Sequence, residues 1–229
     1  MRSFFRRLIW SKENPGIKLI VFDFDGTLAD TRDLLLKIIS KHLLSFEISL
    51  TKNLLKFFGN APLEEYLYIT GVSKDLIKSV YAGITADFIK EHQKIKPCKN
   101  LNAVKLITVR KIIVSNNSSF FIQKSLNFLK ANFFEKVYGA DQFKNKVTMI
   151  NSLRKKYRLS PSEIIYVGDK DKDVDVARDV GCHSVIISNK SSWSLREDII
   201  KKKPDYLLTD LGKLPLVIAQ LNATQLPAV

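Results

Sequence analysis

The chain has 229 residues, a hydrophobic content of 45% and a formal net charge of +14 at pH 7. This length allows one larger domain or two unequal ones, and the apolar content is sufficient for a buried core. No run of about 18 apolar residues occurs, so we expect no membrane-spanning segment.

The basic charge is spread along the chain and is not organised into a recognised nucleic-acid motif. We interpret most lysines and arginines as solvated surface positions; the charge suits an anionic small substrate, and nucleic-acid binding is the less favoured alternative. Residues 1–16 form a basic, aromatic segment that we interpret as an N-terminal arm, because its apolar run is too short for a secretory signal. Cys98 and Cys182 lie far apart and outside any zinc motif, which favours a reducing, cytoplasmic location.

The first predicted strand, residues 17–22, is a compact β-rich run that stops at the sequence Asp23-Phe24-Asp25-Gly26-Thr27. From residue 31 to residue 96 the apolar residues recur at helical spacing, interrupted by Gly59, Pro62 and Gly71. This pattern predicts an all-helical segment placed directly after the first strand.

Strands and helices alternate in the second half of the chain. We predict further strands at 111–115, 136–140, 163–169, 183–188 and 205–210, and helices at 120–132, 146–159 and 174–181. Strands that alternate with helices and are apolar in their middles favour a parallel sheet covered on both faces. We therefore predict an α/β fold in which residues 17–30 and 97–229 form the core domain and residues 31–96 a small helical cap domain.

Polar residues stand at the ends of three predicted strands: Asp23 and Asp25 at the first; Ser115, Asn116 and Asn117 at the second; and Asp169, Asp171, Asp173 and Asp175 at and after the end of strand 163–169. Lys144 and Lys146 precede the helix that leads into this last strand. In an open parallel sheet, the active crevice lies outside the carboxyl ends of the strands. Carboxylates gathered there repel one another unless some are protonated or a cation neutralises them. Oxygen ligands suit a hard cation, and Mg²⁺ is the usual one where phosphate is the substrate.

Each of these elements also has an ordinary structural explanation. An acidic pair at a strand end is often a polar turn, Ser-Asn is common turn chemistry, and acids after a strand often cap a helix. Their combination, in this order and each beside a strand, favours a phosphate site instead. A carboxylate can then serve as the nucleophile, while hydroxyl, amide and ammonium groups hold the phosphate oxygens.

The quoted residues carry a resemblance to a known family. DFDGT, VSNN, a lysine and GDKDKD together resemble the haloacid dehalogenase superfamily, from about Lys18 to Leu214. The helical insertion resembles the cap of the phosphoglycolate phosphatase and β-phosphoglucomutase branch. The resemblance implies a Rossmann-like core with a cap that supplies substrate specificity.

The resemblance also implies a role for each matching residue. Asp23 is the expected nucleophile, Asp25 the general acid and base, and Lys146 the cation that neutralises Asp23 and the phosphate. The expected Mg²⁺ ligands are the side chains of Asp23 and Asp169 and the backbone carbonyl of Asp25. Further expected roles are phosphate binding by Ser115 and Asn116, loop ordering or phosphate contact by Thr27, and orientation of a metal-bound water or of the lysine by Asp173.

This chain departs from the family pattern at two places. Neither Lys144 nor Lys146 precedes proline, so Lys144 stays an alternative to Lys146, and the usual threonine of the second motif is Ser115, which keeps the hydroxyl.

The expected function is a Mg²⁺-dependent phosphatase, a monomer or homodimer, acting on a small phosphate monoester such as phosphoglycolate, a sugar phosphate or a nucleotide. Asp25 favours phosphate esters over dehalogenation, and Thr27 favours a phosphatase over the first alternative, a phosphomutase. The second alternative is a basic protein that binds nucleic acid or membranes on a hydrolase scaffold.

The cap is expected to set specificity and to move about hinges near Asp30 and Pro97. Arg32, Lys37 and residues 57–60 are candidate cap positions, although core packing between cap helices is the favoured explanation for Phe57 and Phe58.

Overall fold

The computed structural model describes residues 16–55, 57–59 and 61–224. The predicted N-terminal arm lies outside these residues except for Gly16, and so does Asn60 of the candidate cap segment. The strands are β1 Leu19–Phe22, β2 Ala29–Asp30, β3 Lys96–Pro97, β4 Arg110–Val114, β5 Lys136–Tyr138, β6 Ile164–Gly168, β7 His183–Ile187 and β8 Tyr206–Leu208.

The helices are α1 Arg32–Leu44, α2 Lys52–Leu55, α3 Leu63–Ile69, α4 Lys74–Lys90, α5 Ser119–Phe128, α6 Lys146–Tyr157, α7 Asp171–Val180, α8 Arg196–Lys201 and α9 Leu214–Thr224. Short 3₁₀ turns occupy His92–Lys94, Leu101–Leu106, Pro161–Glu163 and Leu211–Lys213. Within the described ranges, no helix combines the length and the apolar content that a membrane span requires.

The main sheet has six strands in the order β5-β4-β1-β6-β7-β8, and every neighbouring pair is parallel. β1 lies between β4 and β6, with Phe22 paired to Ile113 on one side and to Val167 on the other. This arrangement confirms the predicted α/β fold with a parallel sheet. It also brings the ends of β1, β4 and β6 to one edge.

Alternate residues of β1 face opposite layers of the core. Leu19 and Val21 pack in a cluster that includes Ile150 of α6 and Ala177 of α7, whereas Ile20 and Phe22 belong to a larger cluster on the other face. The larger cluster takes buried side chains from α5 and α9. Helices therefore cover both faces of the sheet, as the uniformly apolar strands predict.

The helices α1 to α4 lie between β2 and β3. Buried Ile39 of α1, Leu67 of α3 and Ile84 of α4 pack in the same core cluster. The strands β2 and β3 pair antiparallel, with Ala29 opposite Pro97 and Asp30 opposite Lys96. The chain thus leaves the core and returns to it through adjacent strands; the division into separate domains at residues 31 and 96 stays a prediction.

Three features of the fold were absent from the sequence predictions: α8, α9 and the β2–β3 pair. α7 also begins at Asp171, three residues before the predicted start at 174, so its first turn carries acidic residues of the GDKDKD motif. α9 starts at Leu214 with Pro215 in its first turn, where the missing proline N–H costs no intrahelical hydrogen bond. In the sequence, this proline resembles a break in regular structure, and α9 was therefore not predicted.

α9 offers a matched pair of leucines that tests its docking on the sheet. Leu214 is fully buried, whereas Leu216 is 71% exposed. We expect Leu214→Ala to lower the free energy of unfolding by about 2–5 kcal/mol, because it leaves a cavity in the core. The control Leu216→Ala should change it by less than about 0.5 kcal/mol. Denaturant unfolding measures both, and equal effects would contradict the packing of α9.

Candidate active site

The candidate site lies at the carboxyl ends of β4, β1 and β6. Ser115 directly follows β4, Asp23 directly follows β1, and Asp169 directly follows β6. The Asp23 N–H donates to the Val167 carbonyl at 2.8 Å, which continues the ladder to the last residue before the turn. All three side chains are buried, with exposed fractions of 2% or less. The parallel register therefore collects them at one point.

The loop after β1 is a tight turn fixed by its own backbone. The Gly26 N–H donates to the Ala29 carbonyl at 2.8 Å, and the N–H groups of Leu28 and Ala29 both donate to the Phe24 carbonyl. Phe24 and Leu28 are fully buried, so they anchor the loop in the core. Gly26 has φ +73°, and a Cβ atom at this position would lie 2.2 Å from Asp169 Oδ2. Only glycine allows both this backbone and this contact.

Asp23 is an ionised carboxylate held by a buried lysine. The Lys146 Nζ lies 2.8 Å from Asp23 Oδ2, and the Phe24 N–H donates to Asp23 Oδ1 at 2.8 Å. Burial by itself raises the pKa of Asp23, but the positive charges of Lys146 and Lys170 outweigh it and hold the pKa below its ordinary value. Asp23 is therefore available as a nucleophile.

The pKa of Asp25 is shifted in the opposite direction to that of Asp23. Burial and the nearby charge of Asp23 raise its pKa above the ordinary value. The Thr31 hydroxyl donates to Asp25 Oδ1 at 2.7 Å, and the Asn117 side-chain N–H group lies 3.2 Å from both carboxylate oxygens. These contacts fix the orientation of a carboxyl group that retains a proton more readily than Asp23 does.

The structure brings Lys146, and not Lys144, to the acidic edge. Lys146 is the first residue of α6 and is 9% exposed, whereas Lys144 is an exposed loop residue. Besides Asp23, the Lys146 ammonium donates to the Tyr166 hydroxyl at 2.8 Å and to Asp173 Oδ1 at 3.4 Å. Burial disfavours the charged ammonium, but Asp23 and Asp173 hold the pKa of Lys146 above its ordinary value.

Asp169 and Asp173 differ in how many donors they already contact. Asp173 accepts from Lys146 and Tyr166 through Oδ1 and from the N–H groups of Asp169 and Lys170 through Oδ2, the last two at 3.0 Å. Asp169 accepts from the Thr27 hydroxyl at 3.1 Å and the Trp193 N–H at 2.6 Å. Asp173 is therefore placed to orient its neighbours, which leaves Asp169 with the greater capacity to bind a cation.

The donor set fits a hard cation. One carboxylate oxygen each from Asp23, Asp169 and Asp173 lies within 4.8 Å of the others, and all three residues are buried. Burial raises the pKa of Asp169 well above its ordinary value; Lys170 opposes this rise, whereas Asp173 and Asp23 add to it. A buried carboxylate with this much unrelieved repulsion is stabilised by a nearby cation, and all-oxygen ligands are those that Mg²⁺ prefers.

The predicted phosphate-binding residues occupy different environments. Ser115 is buried, and its hydrogen bond is one of the contributions that lower the pKa of Asp23, whereas Asn116 is exposed at the start of the following loop. Thr27 is fully buried and its hydroxyl contacts Asp169. Of the two roles predicted for Thr27, ordering the loop is the one that this contact supports.

Other residues of the site could not be identified from spacing. Asn117 and Thr31 contact Asp25, and Tyr166 contacts Lys146. Asn117 lies within the quoted VSNN run, but the sequence gives no reason to prefer it to Asn116 as the partner of Asp25. Asp171 and Asp175, grouped with the acidic set in the sequence, contact Ser194 and Lys202 instead.

Comparison with known proteins agrees with this geometry. The sequence profile of the haloacid dehalogenase-like hydrolase family matches residues 20–187. The chain belongs to this family. The predicted family membership is thereby confirmed.

Several distant relatives cover most of the chain. A phosphoglycolate phosphatase from Vibrio vulnificus is 25% identical over 86% of this chain and 94% of its own length. A pyrophosphatase PpaX from Listeria monocytogenes is 23% identical over 88% of this chain and 96% of its own length. The predicted enzyme class, a phosphatase of the haloacid dehalogenase family, is confirmed.

Solved structures show the same fold. A haloacid dehalogenase-like family hydrolase from Streptococcus pneumoniae superposes with a TM-score of 0.74 over 89% of this chain and 98% of that one, at 20% identity. The agreement covers the helical insertion as well as the sheet, because the aligned share of both chains is nearly complete.

The two lysines near the site provide a direct test of the Lys146 position. We expect Lys146→Met to lower kcat/KM for p-nitrophenyl phosphate by at least about 100-fold, because the charge beside Asp23 disappears. Lys144→Met removes an exposed charge of the same type and should have an effect below about threefold. Steady-state kinetics on both variants, with circular dichroism to verify folding, makes the comparison. A larger loss in Lys144→Met would assign the role to Lys144.

Proposed function

We propose that the protein is a Mg²⁺-dependent phosphatase that hydrolyses a small phosphate monoester through an aspartyl-phosphate intermediate. The observation that carries this proposal is the pair of aspartates with opposite tendencies: Asp23 ionised beside Lys146, and Asp25 with a raised pKa. One carboxyl group suited to attack and another suited to proton transfer are what hydrolysis of an ester in two steps requires.

In the first step, Asp23 attacks phosphorus and the bond to the leaving oxygen breaks, while Asp25 donates a proton to that oxygen. In the second step, Asp25 takes a proton from water as the water attacks the phosphorus of the aspartyl phosphate, which releases phosphate and regenerates Asp23. The hydrogen bonds from Thr31 and Asn117 keep Asp25 in one orientation for both transfers. Ser115 and Asn116 are proposed to hold oxygens of the transferring group, and Lys146 to balance its charge.

Mg²⁺ bound here would neutralise negative charge shared by the carboxylates and the phosphoryl oxygens. The proposed ligands are the side chains of Asp23 and Asp169 and the backbone carbonyl of Asp25. Asp173 is proposed to keep Asp169, Lys170 and Lys146 in position, which its contacts with all three support.

The proposed substrates are small phosphorylated metabolites such as phosphoglycolate, a sugar phosphate or a nucleotide. The relatives are named for phosphoglycolate and pyrophosphate, so these two compounds are the first to assay. The helices of residues 31–96 are proposed to act as a cap that closes over the bound ester about the β2–β3 pair and excludes water. We propose a cytoplasmic enzyme that works as a monomer or homodimer.

Replacing the nucleophile tests the central proposal. We expect Asp23→Asn to abolish hydrolysis of p-nitrophenyl phosphate while circular dichroism and the melting transition still report a folded protein. The matched control is Asp33→Asn, because the Asp33 side chain is 88% exposed on α1. Asp33→Asn should retain wild-type rates, and retained activity in pure Asp23→Asn would exclude this nucleophile.

The wild-type protein serves to test the requirement for Mg²⁺ and the type of reaction. Dialysis against EDTA should remove activity, and added Mg²⁺ should restore it, because oxygen ligands alone hold the ion. Phosphorus NMR of the products should show inorganic phosphate; transfer of phosphate to another position of a sugar would identify a phosphomutase. Activity that survives EDTA would exclude the metal requirement.

The proton-transfer role of Asp25 predicts a dependence on the leaving group. An alkoxide needs a proton when it leaves, whereas p-nitrophenolate is stable without one. We expect Asp25→Asn to lower kcat/KM for 2-hydroxyethyl phosphate at least about tenfold more than for p-nitrophenyl phosphate. The ratio kcat/KM is the relevant quantity because it reports the first phosphoryl transfer. Equal losses for the two esters would exclude Asp25 as the general acid.

A further inference from the structure

An aromatic contact joins the helical insertion to the core beside the acidic residues. Phe58, between α2 and α3, stacks on Trp193, between β7 and α8, with ring centroids 4.9 Å apart and planes inclined by 26°. Phe58 is 5% exposed, and its ring centroid also lies 5.4 Å from that of Tyr66. We call Phe58, Trp193 and Lys170 the clasp.

Trp193 is fixed to the acidic edge by its backbone and by its ring. Its N–H donates to Asp169 Oδ2 at 2.6 Å. A Cβ atom at Gly26 would lie 2.5 Å from the indole Cδ1, and one at Gly59 would lie 2.8 Å from Cε3. The indole therefore fills the space between the first loop of the core and the insertion, with glycine on both sides to admit it.

Lys170 completes the clasp. Its Nζ lies 4.6 Å from the centroid of the Trp193 ring, a distance suited to a cation–π contact. Its backbone N–H donates to Asp173 Oδ2 at 3.0 Å, which fixes the start of its side chain directly after Asp169. Its positive charge helps to hold the pKa of Asp23 below the ordinary value and offsets part of the rise in the pKa of Asp25. The ammonium is thus held near the site by an aromatic face.

The two lysines of the site differ in what they contact. The Lys146 ammonium contacts Asp23, Asp173 and the Tyr166 hydroxyl, so its hydrogen bonds are committed. In the described part of the chain, the Lys170 ammonium contacts the Trp193 face, which leaves its N–H donors able to meet an anion. The Trp193 Nε1 is also buried, with no hydrogen-bond partner among the described residues, and is a second donor without an acceptor.

The position of the clasp indicates which part of a substrate it meets. In-line attack by Asp23 places the leaving group on the far side of phosphorus, away from the sheet edge. The insertion meets the core at Phe58 and Trp193, and the Trp193 N–H contacts Asp169, so the clasp lies beside the site on the side of the insertion. We propose that Lys170, braced by Trp193, is a specificity-determining residue that favours esters whose leaving group carries its own negative charge. This inference rests on the proposed function and narrows its substrate class.

Two esters that differ in one group test the proposed role of Lys170 in specificity. 2-Phosphoglycolate ends in a carboxylate and 2-hydroxyethyl phosphate in a neutral hydroxyl, so the ratio of their kcat/KM values isolates the charge of the leaving group. We expect the wild-type ratio to favour phosphoglycolate. Lys170→Met should lower that ratio by about ten- to a hundredfold, the range of a charge-assisted hydrogen bond. Lys170→Arg keeps the charge and should restore the ratio to within about threefold.

Two further variants separate specificity from structure. Lys172→Met removes the exposed lysine two residues later on α7 and should leave the ratio unchanged. Trp193→Leu retains the backbone N–H on Asp169 but removes the aromatic face, and we expect it to lower the ratio about three- to tenfold. Melting curves verify that each variant is folded.

The outcomes distinguish this inference from the proposed function. An enzyme that hydrolyses p-nitrophenyl phosphate but shows no preference for phosphoglycolate overturns the role of the clasp alone. So does an equal loss for both esters in Lys170→Met, which would assign Lys170 to the transferred phosphoryl group. A wild-type protein that hydrolyses none of these esters overturns the proposed function and the specificity inference together.

Discussion

The buried ammonium group of Lys146 allows several carboxylates to lie close together at one edge of the sheet. Lys146 lies within hydrogen-bonding distance of Asp23, Asp173 and Tyr166, each on a different element. Removing charged groups from water costs several kcal/mol for each ion, and this cost is recovered only when each charge has close partners. The start of α6, the end of β1 and the first turn of α7 are therefore fixed relative to one another by one electrostatic requirement.

The strand order makes this arrangement possible. Because β1 lies between β4 and β6, Ser115, Asp23 and Asp169 reach the same edge without any long loop. The tight turn at Gly26 then returns the chain to the core and presents Asp25 beside Asp23, where burial and the charge of Asp23 raise the pKa of Asp25. Two chemically identical side chains, two positions apart, thus acquire different protonation behaviour from their surroundings.

The sequence predicted the parts of this structure that depend on local pattern. The apolar runs before Asp23 and Asp169 predicted the strands β1 and β6, and the family resemblance favoured Lys146, with Lys144 as the alternative. Of these two lysines, Lys146 is the one that contacts Asp23, whereas Lys144 is exposed.

Contacts between distant positions could not be predicted in the same way. Asn117 meets Asp25 across 92 positions, and Trp193 meets Asp169 across 24. Nothing in the sequence around Trp193 marks it as part of a site, and α9 was missed because its proline resembles a break. Such residues become visible only when the packing of separate elements is known.

The short antiparallel pair of β2 and β3 has a mechanical consequence. Thr31 is the residue immediately after β2 and immediately before α1, and its hydroxyl holds Asp25 at 2.7 Å. A rotation of the helical segment about this pair would therefore strain the Thr31 hydrogen bond and leave Asp25 oriented by Asn117 alone. In the proposed mechanism, opening of this segment would therefore loosen the orientation of the proton donor, and closure over a bound ester would restore the Thr31 contact.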